Sequence, residues 1–239
     1  MERLDKLLTS TGRWSRKEAR ELIRQGRALA DGKVISRPEE KVDPVSVRLT
    51  VDGERVECSP YVYVMLHKPA GLLSATEDSR QPTVLDLLPP ELKRRGLFPV
   101  GRLDKDVTGL LLLTDDGPLA HRLLSPRKHV DKVYLARVEG RIDREDVAAL
   151  AAGMTLGDGL RCLPAGLEPL GDGTRCRVTL REGKYHQVKR MLAARGKPVL
   201  ALRRVSMGPL TLDEDLEPGK WRFLSKEERD KLKVLEMIS

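Results

Sequence analysis

The run Leu110-Leu111-Leu112-Leu113 narrows what this chain can fold into more than any other stretch. Four consecutive leucines are too few for a helix, and they stand between Gly109 and the polar turn Thr114-Asp115-Asp116-Gly117. An apolar run closed off in this way is read as a central strand. The loop that feeds it, Val100-Gly101-Arg102-Leu103-Asp104-Lys105-Asp106-Val107-Thr108, sets an aspartate two residues after an arginine and four before a threonine. Bracketed by glycines and carried on rigid support, Asp104 is a candidate nucleophile. By spacing alone the commoner reading is different: Arg102 and Asp104 form an ion pair that shapes a turn.

A chain of 239 residues accommodates one main domain and a small appendage. Its formal charge of +8 favours a polyanionic partner, provided the excess is clustered. Cys58, Cys162 and Cys176 are odd in number and far apart, which makes neither a disulfide framework nor a CxxC clip, so they are expected to be small buried hydrophobes. His67, His121, His129 and His186 supply no i,i+4 pair of the kind that holds zinc, and no metal is implied. The amino terminus lacks an apolar leader core, and no stretch approaches the roughly 20 apolar residues that span a bilayer. A soluble, reducing, cytoplasmic setting without membrane contact is expected.

Leu4, Leu7 and Leu8 have helical spacing, with Gly12 as the stop. Ser15-Arg16-Lys17-Glu18 reads as a capping box that opens a second helix ending before Gly26. Ala19, Leu22 and Ile23 share one side of it, while Arg16, Lys17, Arg20 and Arg24 form a neighbouring stripe and Arg13 flanks it. Four cations in three turns favour a phosphate-tracking surface over a merely solvated face. Short strands follow around residues 28–30, 33–35 and 47–51, with Asp31-Gly32 and Asp52-Gly53 as hairpin signals. Glu57-Cys58-Ser59-Pro60 is the expected linker, which divides the chain into residues 1–58 and 59–239.

Beyond it, residues 61–67, 132–138 and 175–180 show strand patterns, Thr83–Leu88 a short helix closed by Pro89-Pro90, and Asp116-Gly117-Pro118 a helix start. A helix after Tyr185 would bury Val188, Met191 and Leu192 and leave His186, Lys189 and Arg190 on its other side. From Arg181 to Arg204 there are eight Lys or Arg against one Glu, the stronger of two positive clusters. Ser225-Lys226-Glu227-Glu228 opens a last helix expected to pack through Leu232, Leu235 and Ile238. Strands outnumber helices and their turns are short, so the fold class is α+β, with a mostly antiparallel central sheet in the larger part.

The string Gly101-Arg102-Leu103-Asp104 through Gly117 resembles the catalytic signature of the RsuA/RluA group of pseudouridine synthases. Three further segments recur in that family's order: His67-Lys68-Pro69-Ala70-Gly71, Lys132-Val133-Tyr134, and Glu182 through Met191. Residues 1–58 resemble an S4 RNA-binding domain, with Ala30-Asp31-Gly32 where that family more often has Val-Asn-Gly. Together the matches cover nearly the whole chain. The resemblance implies an enzyme that breaks the N1 bond of a uridine to its ribose, turns the base and rejoins it through C5. No atom is gained or lost, so neither cofactor nor metal is needed.

The same resemblance assigns catalytic roles to Asp104, Arg102, Tyr134 and Lys189. Asp104 is then the reacting carboxylate, Arg102 and Lys189 the cations that hold it charged, and Tyr134 the ring that receives the base. Expected RNA contacts are Arg13, Arg16, Lys17, Arg20, Arg24, Lys68, His186 and Arg190. The partner is ribosomal RNA or an assembly intermediate of a ribosomal subunit, bound by a monomer. Tyr185-His186-Gln187 is similar to the small-subunit rRNA enzymes, whereas large-subunit relatives tend to carry an Asn-Arg pair there. A large-subunit or tRNA substrate, a non-catalytic S4 ribosome-binding protein, and a glycoside hydrolase pairing Asp104 with Asp106 or Asp115 are the competing readings.

Overall fold

The structure is a computed structural model that describes the chain except residues 12, 45, 57–60, 126–127 and 238–239. Gly12, the linker Glu57–Pro60 with Cys58, and Ile238 therefore lie outside the described residues, as does the side chain of Leu235. Two compact units are present. Met1–Val62 groups with Leu88–Phe98, and Tyr63–Leu87 groups with Pro99–Ser239.

The amino-terminal elements are β1 (Glu2–Arg3), α1 (Leu4–Ser10), α2 (Arg16–Arg24), β2 (Ala28–Ala30), β3 (Lys33–Val34), β4 (Lys41–Val42), β5 (Leu49–Val51) and β6 (Glu54–Val56). Leu4, Leu7 and Leu8 of α1 and Ala19, Leu22 and Ile23 of α2 share one core with Ala28, Ala30, Leu49, Val51 and Val56. Ser15 and Glu18 form the reciprocal capping box: Glu18 N donates to Ser15 Oγ and Ser15 N donates to Glu18 Oε2. The strands run antiparallel in the order β3-β2-β5-β6. Both residues of Asp31-Gly32 and of Asp52-Gly53 have positive φ, as a two-residue type I′ hairpin turn requires. Leu88–Phe98 falls in the stretch expected to belong to the larger part. By its contacts it clusters with the amino-terminal elements, where the Arg95 guanidinium donates to the carbonyl of Ser10.

The remaining elements are β7 (Tyr63–Lys68), a 3₁₀ turn over Val84–Leu87, α3 (Pro90–Lys93), β8 (Phe98–Pro99), β9 (Thr108–Thr114), α4 (Gly117–Leu124), β10 (Lys132–Val138), α5 (Arg144–Ala152), β11 (Met154–Thr155), β12 (Arg161–Cys162), β13 (Gly166–Leu170), β14 (Arg175–Leu180), α6 (Gln187–Ala194), β15 (Val199–Met207), β16 (Leu210–Thr211), β17 (Trp221–Phe223) and α7 (Lys226–Met237). The central sheet follows the order β13-β14-β10-β15-β9-β7-β17. Its neighbours are antiparallel except β15 and β9, which run parallel. The leucine run is the middle of β9 and is fully buried. Because β9 has a strand on each side, its leucines pack on both faces of the sheet, which explains why the run does not alternate.

Two local readings change. The helix at Thr83–Leu88 is a 3₁₀ turn, and Pro90 opens α3 as well as following that turn. Proline's fixed φ and missing N–H suit a first helical position. The elements α5, β11, β12 and β13 carry no strong sequence pattern. Helix α5 is nevertheless opened by a reciprocal cap between Asp143 and Asp146.

Candidate active site

The loop before β9 is held at three points from below. The Ser74 hydroxyl donates to Leu103 O at 2.8 Å and accepts from Leu103 N at 3.0 Å. The Lys68 ammonium donates to Lys105 O at 3.1 Å and to Val107 O at 2.9 Å. Gly71 N donates to Lys105 O at 2.8 Å. With its backbone pinned on either side, the loop holds the Asp104 side chain partly enclosed and that of Asp106 exposed. At its end Gly109 has φ +109°, and a Cβ there would lie 2.1 Å from the Arg204 carbonyl oxygen of the parallel strand β15. Only glycine permits that approach.

Lys68 was expected to touch RNA, and the structure corrects this. Its side chain is wholly buried, so no phosphate reaches it. Burial pushes its pKa down to about 8, against the opposing pull of Asp106 and Asp104. It is a buried clamp on the aspartate loop.

Asp104 meets two groups from the segment that enters α6. Lys189 Nζ stands 3.3 Å from Oδ2, and His186 Nε2 stands 3.5 Å from Oδ1. Lys189 also donates to Asp106 at 2.6 and 2.8 Å. That hydrogen bond holds the Asp106 carboxyl below the usual range, the reverse of what a proton-donating acid needs, so the loop is poorly suited to two-carboxylate glycoside chemistry. Arg102 lines the same cleft. Among the described residues, however, no carboxylate lies within ion-pair distance of Arg102. The turn-shaping pair suggested by spacing is absent, and its work is done by Ser74 and Lys68.

The cleft, about 70 Å³, is lined by Asp104, Arg102, Tyr134, Leu180, His186 and Val188, among others. Strand β10 turns Tyr134, Ala136 and Val138 inward and Leu135 and Arg137 outward. Tyr134 lines the cleft together with Gln187 and Val188 of α6, whose Val188, Met191 and Leu192 are buried as their spacing indicated. Residues 62–194 match the family model described as RNA pseudouridylate synthase, and residues 2–46 match the S4 domain.

The chain belongs to the RNA pseudouridine synthase family. A Bacillus subtilis protein described as the uncharacterized RNA pseudouridine synthase YtzG is 49% identical over 229 residues, spanning 95% of this chain and 96% of that one. The Pseudomonas aeruginosa ribosomal small subunit pseudouridine synthase A is 45% identical over 229 residues, spanning 95% and 98%. A crystal structure of a pseudouridylate synthase superposes with a TM-score of 0.68 at 36% identity, covering 97% of this chain and all of that one.

Two residues of the Glu182–Met191 segment to which the sequence assigned no role support the site of this pseudouridine synthase. Glu182, buried at the turn into α6, accepts from Leu163 N at 2.8 Å and from Gln187 Nε2 at 2.6 Å, and Gln187 Oε1 accepts from Lys184 N at 3.0 Å. This network fixes the entry of α6 and with it the reach of Lys189. The signal available was a glutamate and a glutamine inside a basic segment, where buried polar groups need partners.

The expected RNA cations divide by their partners. Arg16, Lys17 and Arg24 are exposed and, among the described residues, have no carboxylate within ion-pair distance. Arg20 instead binds Asp5 at 2.9 Å. Burial raises the Asp5 pKa, but hydrogen bonds from Arg3 and Arg20 outweigh it and leave the carboxyl below its usual range. Arg13 pairs with Glu54 at 3.1 Å and covers the Trp14 ring. Arg190 pairs with Asp158 at 2.5 Å. Cys162 and Cys176 are buried free thiols, and burial pushes Cys176 up to about 11.

Proposed function

We propose that this pseudouridine synthase isomerises a uridine of small-subunit ribosomal RNA, with Asp104 as the reacting carboxylate. The observation that carries the reading is that Asp104 and Tyr134 line one cleft while the Lys189 ammonium stands 3.3 Å from the Asp104 carboxylate. The target uridine leaves its stack, at a cost of a few kcal/mol, and lays its face on Tyr134, with Val188 as the opposite wall. Asp104 acts at C1′ or C6 while the N1 to C1′ bond breaks, and Lys189 supplies positive charge beside it. The base turns, C5 bonds to C1′, and the proton lost from C5 is balanced by the one gained at N1. The freed uracil remains enclosed by Tyr134, Leu180 and Val188 throughout.

The choice of small-subunit RNA is supported by the Pseudomonas relative's name and by the Tyr185-His186-Gln187 segment. The S4 domain, with exposed Arg16, Lys17 and Arg24, supports a second contact on the RNA. Such a tethered contact raises effective concentration at one site without altering bond chemistry. A cytoplasmic monomer acting on rRNA or an assembly intermediate fits this reading. Pseudouridine mapping of rRNA from cells with and without the gene tests it. We expect one modification to vanish from small-subunit RNA; loss from large-subunit RNA or tRNA instead would contradict the assignment.

A further inference from the structure

The chain has four tyrosines, two tryptophans and two phenylalanines, and the most exposed of the described ones sits beside the cleft. Tyr185 is 74% exposed. It is also ordered by a neighbour: its ring stacks on that of His186, centroids 3.8 Å apart and planes 18° from parallel. His186 in turn adopts the left-handed backbone conformation, φ 50° and ψ 32°, at the start of α6. A non-glycine residue adopts that conformation at some energetic cost, which directs attention to what it positions. Here it turns Nε2 toward Asp104 and leaves Tyr185 stacked on the outer side of the imidazole.

An exposed aromatic face is costly to leave in water and useful where another flat ring covers it. The surroundings select the kind of ring. The segment from Arg181 to Arg204 is strongly basic, and the stacking partner His186 lines the cleft that holds Asp104 and Tyr134.

We infer that Tyr185 is a stacking platform for a nucleobase next to the target uridine, with His186 as its rigid backing. Tyr134 then holds the target inside the cleft while Tyr185 holds a neighbour at its mouth. The inference rests on RNA being the substrate, and it adds a specificity-determining contact outside the reacting centre. A base on Tyr185 extends the Tyr185–His186 stack and sets the RNA strand beside Asp104.

The test uses the full-length protein and RNA hairpins whose loop carries one uridine, either intact or abasic at the nucleotide on one side or the other of it. Affinity is read by fluorescence anisotropy for the wild type, Tyr185→Phe and Tyr185→Ala. Stacking on an aromatic side chain contributes roughly 5- to 150-fold per base. Tyr185→Ala should weaken binding of the intact hairpin within that range, and Tyr185→Phe should stay within about twofold of wild type. One abasic position should weaken wild-type binding to a similar degree and leave Tyr185→Ala unaffected. The inference is overturned if the wild type binds intact and abasic hairpins equally, or if Tyr185→Ala loses as much on abasic RNA as on intact RNA. Pseudouridine formation in the same tubes is scored separately, so a failure of the catalytic reading is visible apart from a failure of stacking.

Discussion

Lys189 Nζ lies 3.3 Å from Asp104 Oδ2 and 2.6 Å from Asp106 Oδ1, so one ammonium serves two carboxylates of a single loop. The partners differ in exposure: the Asp106 side chain is 73% exposed and that of Asp104 is 26%. Ion pairs with well-solvated partners contribute little, whereas the more enclosed one matters more.

From that asymmetry we expect Lys189→Met to lower kcat by about a hundredfold or more, with a much smaller change in RNA affinity. Asp106→Asn should remain within about threefold of wild type. Single-turnover kinetics beside equilibrium RNA binding separates the two effects. A loss confined to affinity would remove Lys189 from the reacting centre.

Lys68 gives a pH signature. Its pKa falls from 10.5 to about 8 on folding, because burial disfavours the charged form. Between those values the unfolded chain binds more protons than the folded one, so this group's contribution to stability rises with pH and is lost as pH falls through about 8. Urea unfolding of the wild type and Lys68→Met from pH 7.5 to 10.5 should show a stability gap that widens in favour of the wild type. A constant gap would mean that the lysine titrates normally. Lys68→Met should also lower turnover, since the carbonyls of Lys105 and Val107 lose their donor.

Gly109→Ala forces a Cβ to within 2.1 Å of the Arg204 carbonyl oxygen. We expect destabilisation beyond about 3 kcal/mol, or no soluble protein. Gly117→Ala, at the first position of α4 with nothing within 4 Å of the added Cβ, should stay within about 1 kcal/mol of wild type. Thermal unfolding of the two variants checks both.

On the S4 unit, Lys17→Ala and Arg24→Ala should each reduce the salt-dependence slope of RNA binding by about 0.7–0.9 if each releases one phosphate contact. Arg20→Ala acts differently, because its guanidinium neutralises the buried carboxylate of Asp5. Its main effect should be a lower unfolding midpoint, measurable without RNA. Equal midpoints for the Arg20 and Arg24 variants would contradict that division.

Much of this was legible in the sequence where one pattern dictates one outcome. The leucine run, the Ser15 and Ser225 capping boxes and the Asp-Gly turns each obey a local rule, and the corresponding elements form where expected. Asp104 and Tyr134 line one cleft and Lys189 stands 3.3 Å from Asp104 although the three come from separate segments, a proximity that periodicity does not encode. What the sequence hid depends on burial and distance. Lys68 looks like any surface cation until the sheet closes over it, and Arg20 looks like Arg24 until Asp5 is seen beside it. Ser74 hydrogen-bonds across 29 positions to Leu103, a separation that no local pattern encodes. The grouping of Leu88–Phe98 with the amino-terminal unit is likewise non-local.

The most direct test of Asp104 as the reacting group is single-turnover pseudouridine formation in a small-subunit rRNA fragment by wild type and Asp104→Asn, with RNA affinity and unfolding midpoint measured on the same preparations. We expect the variant to fold and bind RNA like the wild type while its rate falls by several orders of magnitude. A rate within about tenfold of wild type, at full folding and binding, would contradict Asp104 as the reacting group.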